Sequence, residues 1–168
     1  MRATALSALA RAGALVAEDV RAACVDPTPA VRRRAAEIMG RSGAEAGPTA
    51  TLLPLLEDPE AVVVEAAAWA AGERADETAV EDLTRVAAEH EDPRCRESAV
   101  AALGAIGDPA ALPAVLAAIG DKATVRRRAV LALAPFDGPE VDAALRHALD
   151  DRDWQVRQAA EDLLEDRG

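Results

Sequence analysis

One phrase recurs five times along this chain, and no other feature of the sequence restricts its fold as much. Each copy begins with an aspartate, usually followed by proline, and most copies continue into an alanine-rich run. The copies are DPTPAVRRRAAEIMG (26–40), DPEAVVVEAAAWAAG (58–72), DPRCRESAVAALG (92–104), DKATVRRRAVLALA (121–134) and DRDWQVRQAAEDLL (151–164). Aligned on the first apolar residue of each helical core, the copies follow one another at intervals of 30 to 32 residues. A fixed period of this length predicts a chain of stacked structural repeats.

Within each copy, the apolar positions have the spacing of an α-helix. An apolar residue opens the helical core, a small residue follows four positions later, and an apolar residue usually follows eight positions later. The aligned sets are Val31, Val63, Cys95, Val125 and Val156, then Ala35, Ala67, Ala99, Ala129 and Ala160, then Met39, Ala71, Leu103, Leu133 and Leu164. Offsets of four and eight lie on one helix face, so each phrase predicts one amphipathic helix.

A second apolar stripe lies between successive phrases and predicts a second helix in each repeat. The candidate segments are 14–25, 48–57, 77–90, 109–119 and 139–149. Residues 2–12 match only the repeated helix, so we expect the chain to begin within a repeat. The pattern predicts an all-α fold of stacked helix pairs.

The composition fits closely packed helices. Of the 168 residues, 51% are hydrophobic but only 2% are aromatic, so alanine, leucine and valine must form the core. We expect a single domain over 1–168. The formal net charge of -11 would repel a phosphate backbone unless the few arginines cluster.

Aspartates and arginines recur at fixed places around the repeated helices. The aspartates of the turns can accept hydrogen bonds from free backbone N–H groups at the next helix start, each worth about 1 kcal/mol. An arginine one position after the core residue can reach an aspartate turn in its own or a neighbouring repeat, although Val64 interrupts the series. These structural ladders comprise Asp26, Asp58, Asp92, Asp121 and Asp151 with Arg32, Arg96, Arg126 and Arg157, and Arg2 in the partial first unit.

Four glycines are expected at or near the ends of the repeated helices. They are Gly43, Gly72, Gly104 and Gly138. Glycine is common at such ends because it adopts a positive φ without steric cost.

The paired helices, the Asp-Pro turn, the V-R-x-x-A-x-x-x-[LM]-G pattern and the period near 31 resemble HEAT repeats, especially the short phycobilisome-lyase type. The resemblance covers nearly the whole chain. It implies a right-handed α-solenoid of about five helix pairs plus a partial N-terminal repeat, with the repeated helices lining the concave face. The implied units are 1–13, 14–43, 44–75, 76–107, 108–137 and 138–168. Members of the family mostly act as binding scaffolds, and a few are lyases or DNA-repair enzymes.

Outward positions of the repeated helices are the candidates for specificity. The sixth position after the core residue holds Trp69, Ala101 and Leu131 in the middle repeats, which predicts an apolar strip on the concave wall. Glu65 and Glu97 would border the strip, and arginines would lie towards either end of it. These arginines are Arg33, Arg34, Arg127 and Arg128.

Trp69 is the sharpest candidate for a partner-binding residue, because tryptophan and arginine are enriched among interface anchors. The alternative is that Trp69 fills a groove left by Ala66 and Ala70, and both readings stay open at this stage. For Trp154, which precedes its helix beside three aspartates, we expect packing within the final repeat.

The VRRR runs at 31–34 and 125–128 invite a nucleic-acid interpretation. One arginine of each run belongs to the ladder, and the remaining pairs are far apart in the chain. No aromatic platform or basic stripe connects them, so we expect no nucleic-acid binding.

Nothing in the sequence predicts catalysis, a metal site or a cofactor. His90 and His147 have no companion at helical ligand spacing. Cys24 and Cys95 occupy apolar stripes, which favours buried thiols in a reducing compartment over reactive ones. No signal peptide and no apolar run long enough to span a membrane is visible, so we expect a cytoplasmic protein.

The leading hypothesis is a non-enzymatic scaffold that binds an unidentified protein or peptide on its concave face. One alternative is an accessory or lyase protein resembling the HEAT-type bilin lyases. The other is a nucleic-acid-binding protein resembling the HEAT-like repair glycosylases. We expect a monomer, or a weak dimer through the apolar half-repeat at residues 2–12.

Overall fold

The computed structural model describes residues 1–42 and 51–167. Ten α-helices follow one another in these ranges, with short 3-10 segments at Leu53–Glu57, Glu77–Ala79 and Pro109–Ala111. The helices are α1 (Arg2–Arg11), α2 (Ala17–Cys24), α3 (Pro29–Ser42), α4 (Ala61–Arg74), α5 (Val80–Glu89), α6 (Pro93–Ile106), α7 (Leu112–Ala118), α8 (Ala123–Ala132), α9 (Pro139–Ala148) and α10 (Trp154–Asp166). The predicted all-α fold is confirmed.

The helices form two layers. The repeated helices α1, α3, α4, α6, α8 and α10 pack side by side, and they contact one another more extensively than the intervening helices do. We call them the inner layer, because a stack of helix pairs curves towards the layer that packs more closely. The outer layer holds α2, the 3-10 segment Leu53–Glu57, α5, α7 and α9.

Helix α6 shows how the repeated phrase specifies its own boundaries. The side chain of Asp92 accepts a hydrogen bond from the backbone N–H of Arg94 at 2.9 Å and caps the helix start. Pro93 is the first helical residue, where its missing N–H has no partner to lose. Gly107 ends the helix at a φ of 70°, in the left-handed region that glycine favours.

The expected role of two glycines was wrong. Gly72 and Gly104 lie inside α4 and α6, and the positive φ angles in the described residues belong to Gly13, Ala75, Gly107 and Gly138. A Cβ atom built on Gly72 would lie 2.9 Å from the Cα of Ala102, and one on Gly104 would lie 2.7 Å from the Cα of Ala132. These glycines therefore allow neighbouring inner helices to approach backbone to backbone. Gly43 lies outside the described residues.

Small and branched apolar side chains form one continuous core between the two layers. The apolar residues that open each helical core, such as Val63, and the alanines four positions later, such as Ala99, are all buried. Cys24 and Cys95 belong to this core and are free thiols. Burial raises the pKa of both thiols to about 11, which keeps them protonated near neutral pH.

The arginine ladder joins consecutive repeats. Arg126 donates from Nε and Nη2 to the two carboxylate oxygens of Asp151, each at 2.8 Å, and its Nη1 donates to the carbonyl oxygen of Asp121 at 2.8 Å. Each such arginine thus links the turn of its own repeat to the turn of the next. The same bidentate contact joins Arg32 to Asp58 and Arg96 to Asp121.

The two ends of the ladder differ from its middle. Arg2 contacts Asp26 at 3.2 Å, and Arg157 donates to the carbonyl oxygen of Asp151 in its own turn at 2.7 Å.

The expectation that each ladder aspartate caps the start of the next helix was wrong for most of them. Each of these carboxylates accepts a hydrogen bond from a backbone N–H one or two residues later in its turn. Asp92 is the ladder aspartate that is also the N-cap residue of its helix. For α10 the N-cap is Asp153, two residues after Asp151.

The interface between α4 and α6 replaces the missing arginine with other contacts. Val64 is buried, so Asp92 takes Arg94 of its own turn as its partner, at 2.8 Å. Cys95 and Ser98 donate from their side chains to the carbonyl oxygens of Ala61 and Glu65 at 3.2 and 3.0 Å.

One predicted outer helix is only partly described. Of the segment 48–57, residues 48–50 lie outside the described residues, and Leu53–Glu57 is a 3-10 helix with Pro54 in its first turn. Leu55 and Leu56 are buried as the apolar stripe predicts.

Candidate functional site

A groove lies on the inner layer, across α3, α4 and α6. It has a volume of about 530 Å³ and combines apolar with charged side chains. We call it the Trp69 groove, lined by Arg33, Glu37, Arg41, Val62, Glu65, Ala66, Trp69, Arg94 and Ser98. Trp69 is the largest apolar side chain among them.

Trp69 both packs and faces the groove. A Cβ atom built on Gly40 would lie 2.6 Å from Cζ3 of Trp69, so the indole rests on the bare backbone of α3. The side chain packs against the core but stays half-buried. The glycine of one repeat therefore makes room for the tryptophan of the next and fixes its position at the groove wall.

Charged side chains surround the indole. Glu37 forms ion pairs with Nε of Arg33 at 2.9 Å and with Nη1 of Arg34 at 2.6 Å. Arg94 binds Asp92, and this hydrogen bond, with that from the backbone N–H of Arg94, lowers the pKa of Asp92 to about 2. Arg41 is exposed and lines the groove.

A second groove adjoins the first on its N-terminal side, between α1 and α3. Its volume is about 330 Å³. We call it the α1–α3 groove, lined by Ser7, Ala10, Arg11, Arg34, Ile38, Arg41 and Ser42. Arg41 borders both grooves, so the two form one surface.

The C-terminal part of the inner layer carries a separate apolar patch. Leu131 is 37% exposed and Trp154 is 64% exposed, and both line a small groove with Arg127. The expectation that Trp154 packs within the final repeat was wrong. Trp154 is the first residue of α10 and is not among the buried residues of that helix.

Sequence comparisons decide the family. Residues 49–124 match the family model described as HEAT repeats, and residues 125–151 match the one described as PBS lyase HEAT-like repeat. The chain belongs to the HEAT repeat family. A search of curated proteins finds no match.

Solved structures of repeat proteins share the fold of this HEAT repeat chain. A designed armadillo repeat protein in complex with the peptide (KR)4 has a TM-score of 0.73 at 19% identity, with 95% of this chain and 84% of that chain covered. The complex of CpcE and CpcF of phycocyanin lyase from Nostoc gives 0.72 at 20% identity, with 88% and 97% covered. Computationally designed armadillo repeat proteins for modular peptide recognition give 0.70 at 20% identity, with 95% and 84% covered. The α-solenoid is thereby confirmed.

The HEAT repeats do not bring the predicted apolar strip into one groove. Trp69 lies in its own groove towards α3, whereas Ala101 and Leu131 line another, of about 240 Å³, with Arg128. The strip is divided because the indole leans back over Gly40 instead of forward to α6.

The charged residues predicted for the site have different partners. Arg33 and Arg34 bind Glu37 within α3, and Arg128 approaches Glu97 at 3.5 Å. Exposed Arg127 lies beside Leu131 and Trp154, and Glu65 lines the Trp69 groove. Sequence reasoning missed further groove residues, namely Arg11, Arg41, Val62, Arg94 and Trp154. The offset pattern could have found Val62 and Arg94, which stand just before the core residues of their helices.

The described part of the chain has neither a cluster of metal-binding side chains nor a helix that could span a membrane. No group of three or more histidine, cysteine or acidic side chains there could hold a metal ion. The Nδ1 atom of His90 accepts the backbone N–H of Asp92 at 3.0 Å, which gives this histidine a role in the turn. None of the helices in residues 1–42 and 51–167 has the length and apolar character to cross a membrane.

Proposed function

We propose that this protein is a non-enzymatic interaction scaffold that binds a peptide or protein segment on its inner, concave layer. The observation that carries the proposal is the half-buried Trp69, fixed over Gly40 at the wall of a groove of about 530 Å³. Tryptophan is among the residues that most often dominate binding energy in interfaces. A second anchor is available at Leu131 and exposed Trp154.

The shape of the site also supports binding of an extended or helical segment. Grooves follow one another along the inner layer from α1 to α10, instead of forming one closed pocket for a small substrate. The designed armadillo protein of similar fold forms a complex with a peptide.

An unbiased peptide-display selection tests the proposal. Wild type should enrich peptides that are lost with the Trp69→Asp/Leu131→Glu double variant. A second variant, Leu131→Gln/Trp154→Ser, changes only exposed side chains and should therefore fold normally. Circular dichroism checks that each variant is folded, so that a loss of binding can be told from a loss of structure. The proposal fails if wild type enriches nothing over the folded variants.

A second candidate is an accessory role resembling that of the bilin lyases. It is supported by the PBS lyase HEAT-like match at residues 125–151 and by the similarity to the CpcE–CpcF complex. Co-expression with a bilin and a phycobiliprotein subunit would give a visible absorbance band. An unchanged spectrum would exclude this role.

A nucleic-acid-binding role has weaker support. The net charge of -11 opposes it, and Arg32 and Arg126 of the two VRRR runs are held by Asp58 and Asp151. We expect filter binding at low salt to be blank.

A further inference from the structure

The N-terminal half of the inner layer is basic, although the chain as a whole is acidic. Five arginines and two glutamates line the Trp69 groove and the α1–α3 groove, while the net charge of the chain is -11. The arginines are Arg11, Arg33, Arg34, Arg41 and Arg94. They come from three helices that are distant in sequence, so the patch exists only in the folded protein.

Intramolecular partners leave part of this positive charge unmatched. One carboxylate, that of Glu37, serves both Arg33 and Arg34, and Arg94 is matched by Asp92. Arg11 and Arg41 take part in none of the ion pairs formed by the described residues. Arg41 borders both grooves, so an anion bound there would reach an arginine that forms no ion pair with the described carboxylates.

The opposite end of the inner layer has the reverse charge. Helix α10 exposes four acidic side chains, of which Asp162 lines the groove of Leu131 and Trp154. They are Glu161, Asp162, Glu165 and Asp166. A bound segment would therefore meet positive potential at α3 and negative potential at α10. Such an arrangement fixes the direction of an asymmetric ligand.

From this charge complementarity we propose that the Trp69 groove binds an acidic peptide segment that carries an apolar or aromatic side chain. The apolar side chain packs on the indole of Trp69 and on Val62, and flanking carboxylates pair with Arg33 and Arg41. The acidic end of the segment points towards α1. The inference rests on the proposed function and names the class of its partner.

Fluorescence of Trp69 gives a direct test. Trp154→Phe leaves Trp69 as the single tryptophan, since the chain has two. Three short peptides serve as probes, in which glutamate, glutamine or lysine alternates with leucine around one central phenylalanine. A single-stranded oligonucleotide is the fourth probe. The glutamate peptide should change the emission of Trp69 and bind at least about tenfold tighter than the lysine peptide, because two exposed charge pairs contribute about this factor.

Two double variants with the same change in net charge test whether the arginines of the groove bind the acidic peptide. Arg33→Gln/Arg41→Gln should weaken binding of the glutamate peptide by about tenfold, and that binding should depend less on salt concentration. Arg146→Gln/Arg152→Gln changes the net charge equally but lies on the outer layer and the turn before α10, so it should have little effect.

The outcomes separate this inference from the proposed function. Equal or tighter binding of the lysine peptide, or binding of the oligonucleotide to the same groove, overturns the acidic-segment assignment. Failure of the glutamate peptide to bind also overturns it. The scaffold proposal survives these results if peptide display still selects Trp69-dependent ligands, and falls only if the display selects none.

Discussion

At the scale of single residues, the arginine ladder concentrates charge where the structure is least exposed. Arg126 is 5% exposed and binds two turns at once. Its partner Asp151 is also well covered. Charge-assisted, bidentate hydrogen bonds are stronger than neutral ones. If one partner is removed, the other stays buried and unsatisfied, so the cost in stability exceeds the free energy of the hydrogen bond itself.

Replacing Arg126 with methionine should therefore destabilise the protein. The chain keeps its apolar contacts, but Asp151 loses both hydrogen bonds from the guanidinium and the carbonyl oxygen of Asp121 loses one. Among the described residues, Asp151 keeps only the hydrogen bond from the backbone N–H of Asp153. We expect the free energy of unfolding to fall by about 2–3 kcal/mol in urea denaturation. The control Arg146→Met, on an exposed part of α9, should stay within about 0.5 kcal/mol of wild type. Equal effects of the two variants would contradict the ladder's role.

The same pairs predict how stability depends on pH. The hydrogen bonds from Arg96 and Arg126 lower the pKa values of Asp121 and Asp151 below their ordinary range. A lowered carboxyl pKa in the folded state stabilises the protein above the unfolded value of about 3.9, and this contribution is lost as pH falls through the folded pKa. Urea midpoints should therefore decrease below about pH 4, and less steeply in Arg126→Met. Parallel curves would show that Asp151 is not linked to folding.

At the scale of helices, glycine sets how closely the inner layer packs. Gly40, Gly72 and Gly104 occupy equivalent positions, and each faces a neighbouring helix at a distance that a Cβ atom would violate. Close approach lets alanine-rich helices bury surface without large side chains. The sequence could suggest helix-end glycines here, but only the neighbouring helix shows why a side chain is excluded.

Gly104→Ala tests this packing. In an isolated helix the change would favour folding by about 1 kcal/mol. Here the new methyl group would meet the Cα and carbonyl oxygen of Ala132, so α6 and α8 must separate. We expect a net loss of about 1–3 kcal/mol in the free energy of unfolding. Gly120→Ala is the control, since its Cβ would make an ordinary contact at 3.5 Å, and a stabilised Gly104→Ala would refute the close approach.

At the scale of the whole molecule, each repeat is held mainly by its neighbours. Contacts in the described chain run between adjacent inner helices and within helix pairs. The stability of a solenoid is then close to a sum of repeat and interface contributions. Within the described chain, α1 packs mainly on one inner helix, α3, and α10 mainly on one, α8.

Amide hydrogen exchange should show this gradient. Amides in α4, α6 and α8 should exchange slowest, because these helices are covered on both sides, and those in α1 and α10 should exchange fastest. Mass spectrometry of peptic fragments measures the order. Uniform protection from α1 to α10 would mean that the chain unfolds as a single cooperative unit.

The sequence by itself determined the helix pairs, their period and the residues of the core. These follow from helical periodicity, which is local and repeats five times, so the buried faces of residues such as Val63 and Ala99 could be assigned without coordinates. The recurrence of aspartate and arginine also indicated an inter-repeat network.

Only the tertiary structure decided where side chains from different repeats meet. Trp69 leans on Gly40 and leaves the predicted strip divided, and Trp154 is exposed instead of packed within the final repeat. The basic patch around Arg41 combines side chains of α1, α3 and α6, and only the structure shows that these side chains line two adjoining grooves. The stacking of helices is non-local, so the rotation of one helix against the next, and not the pattern within it, sets these contacts.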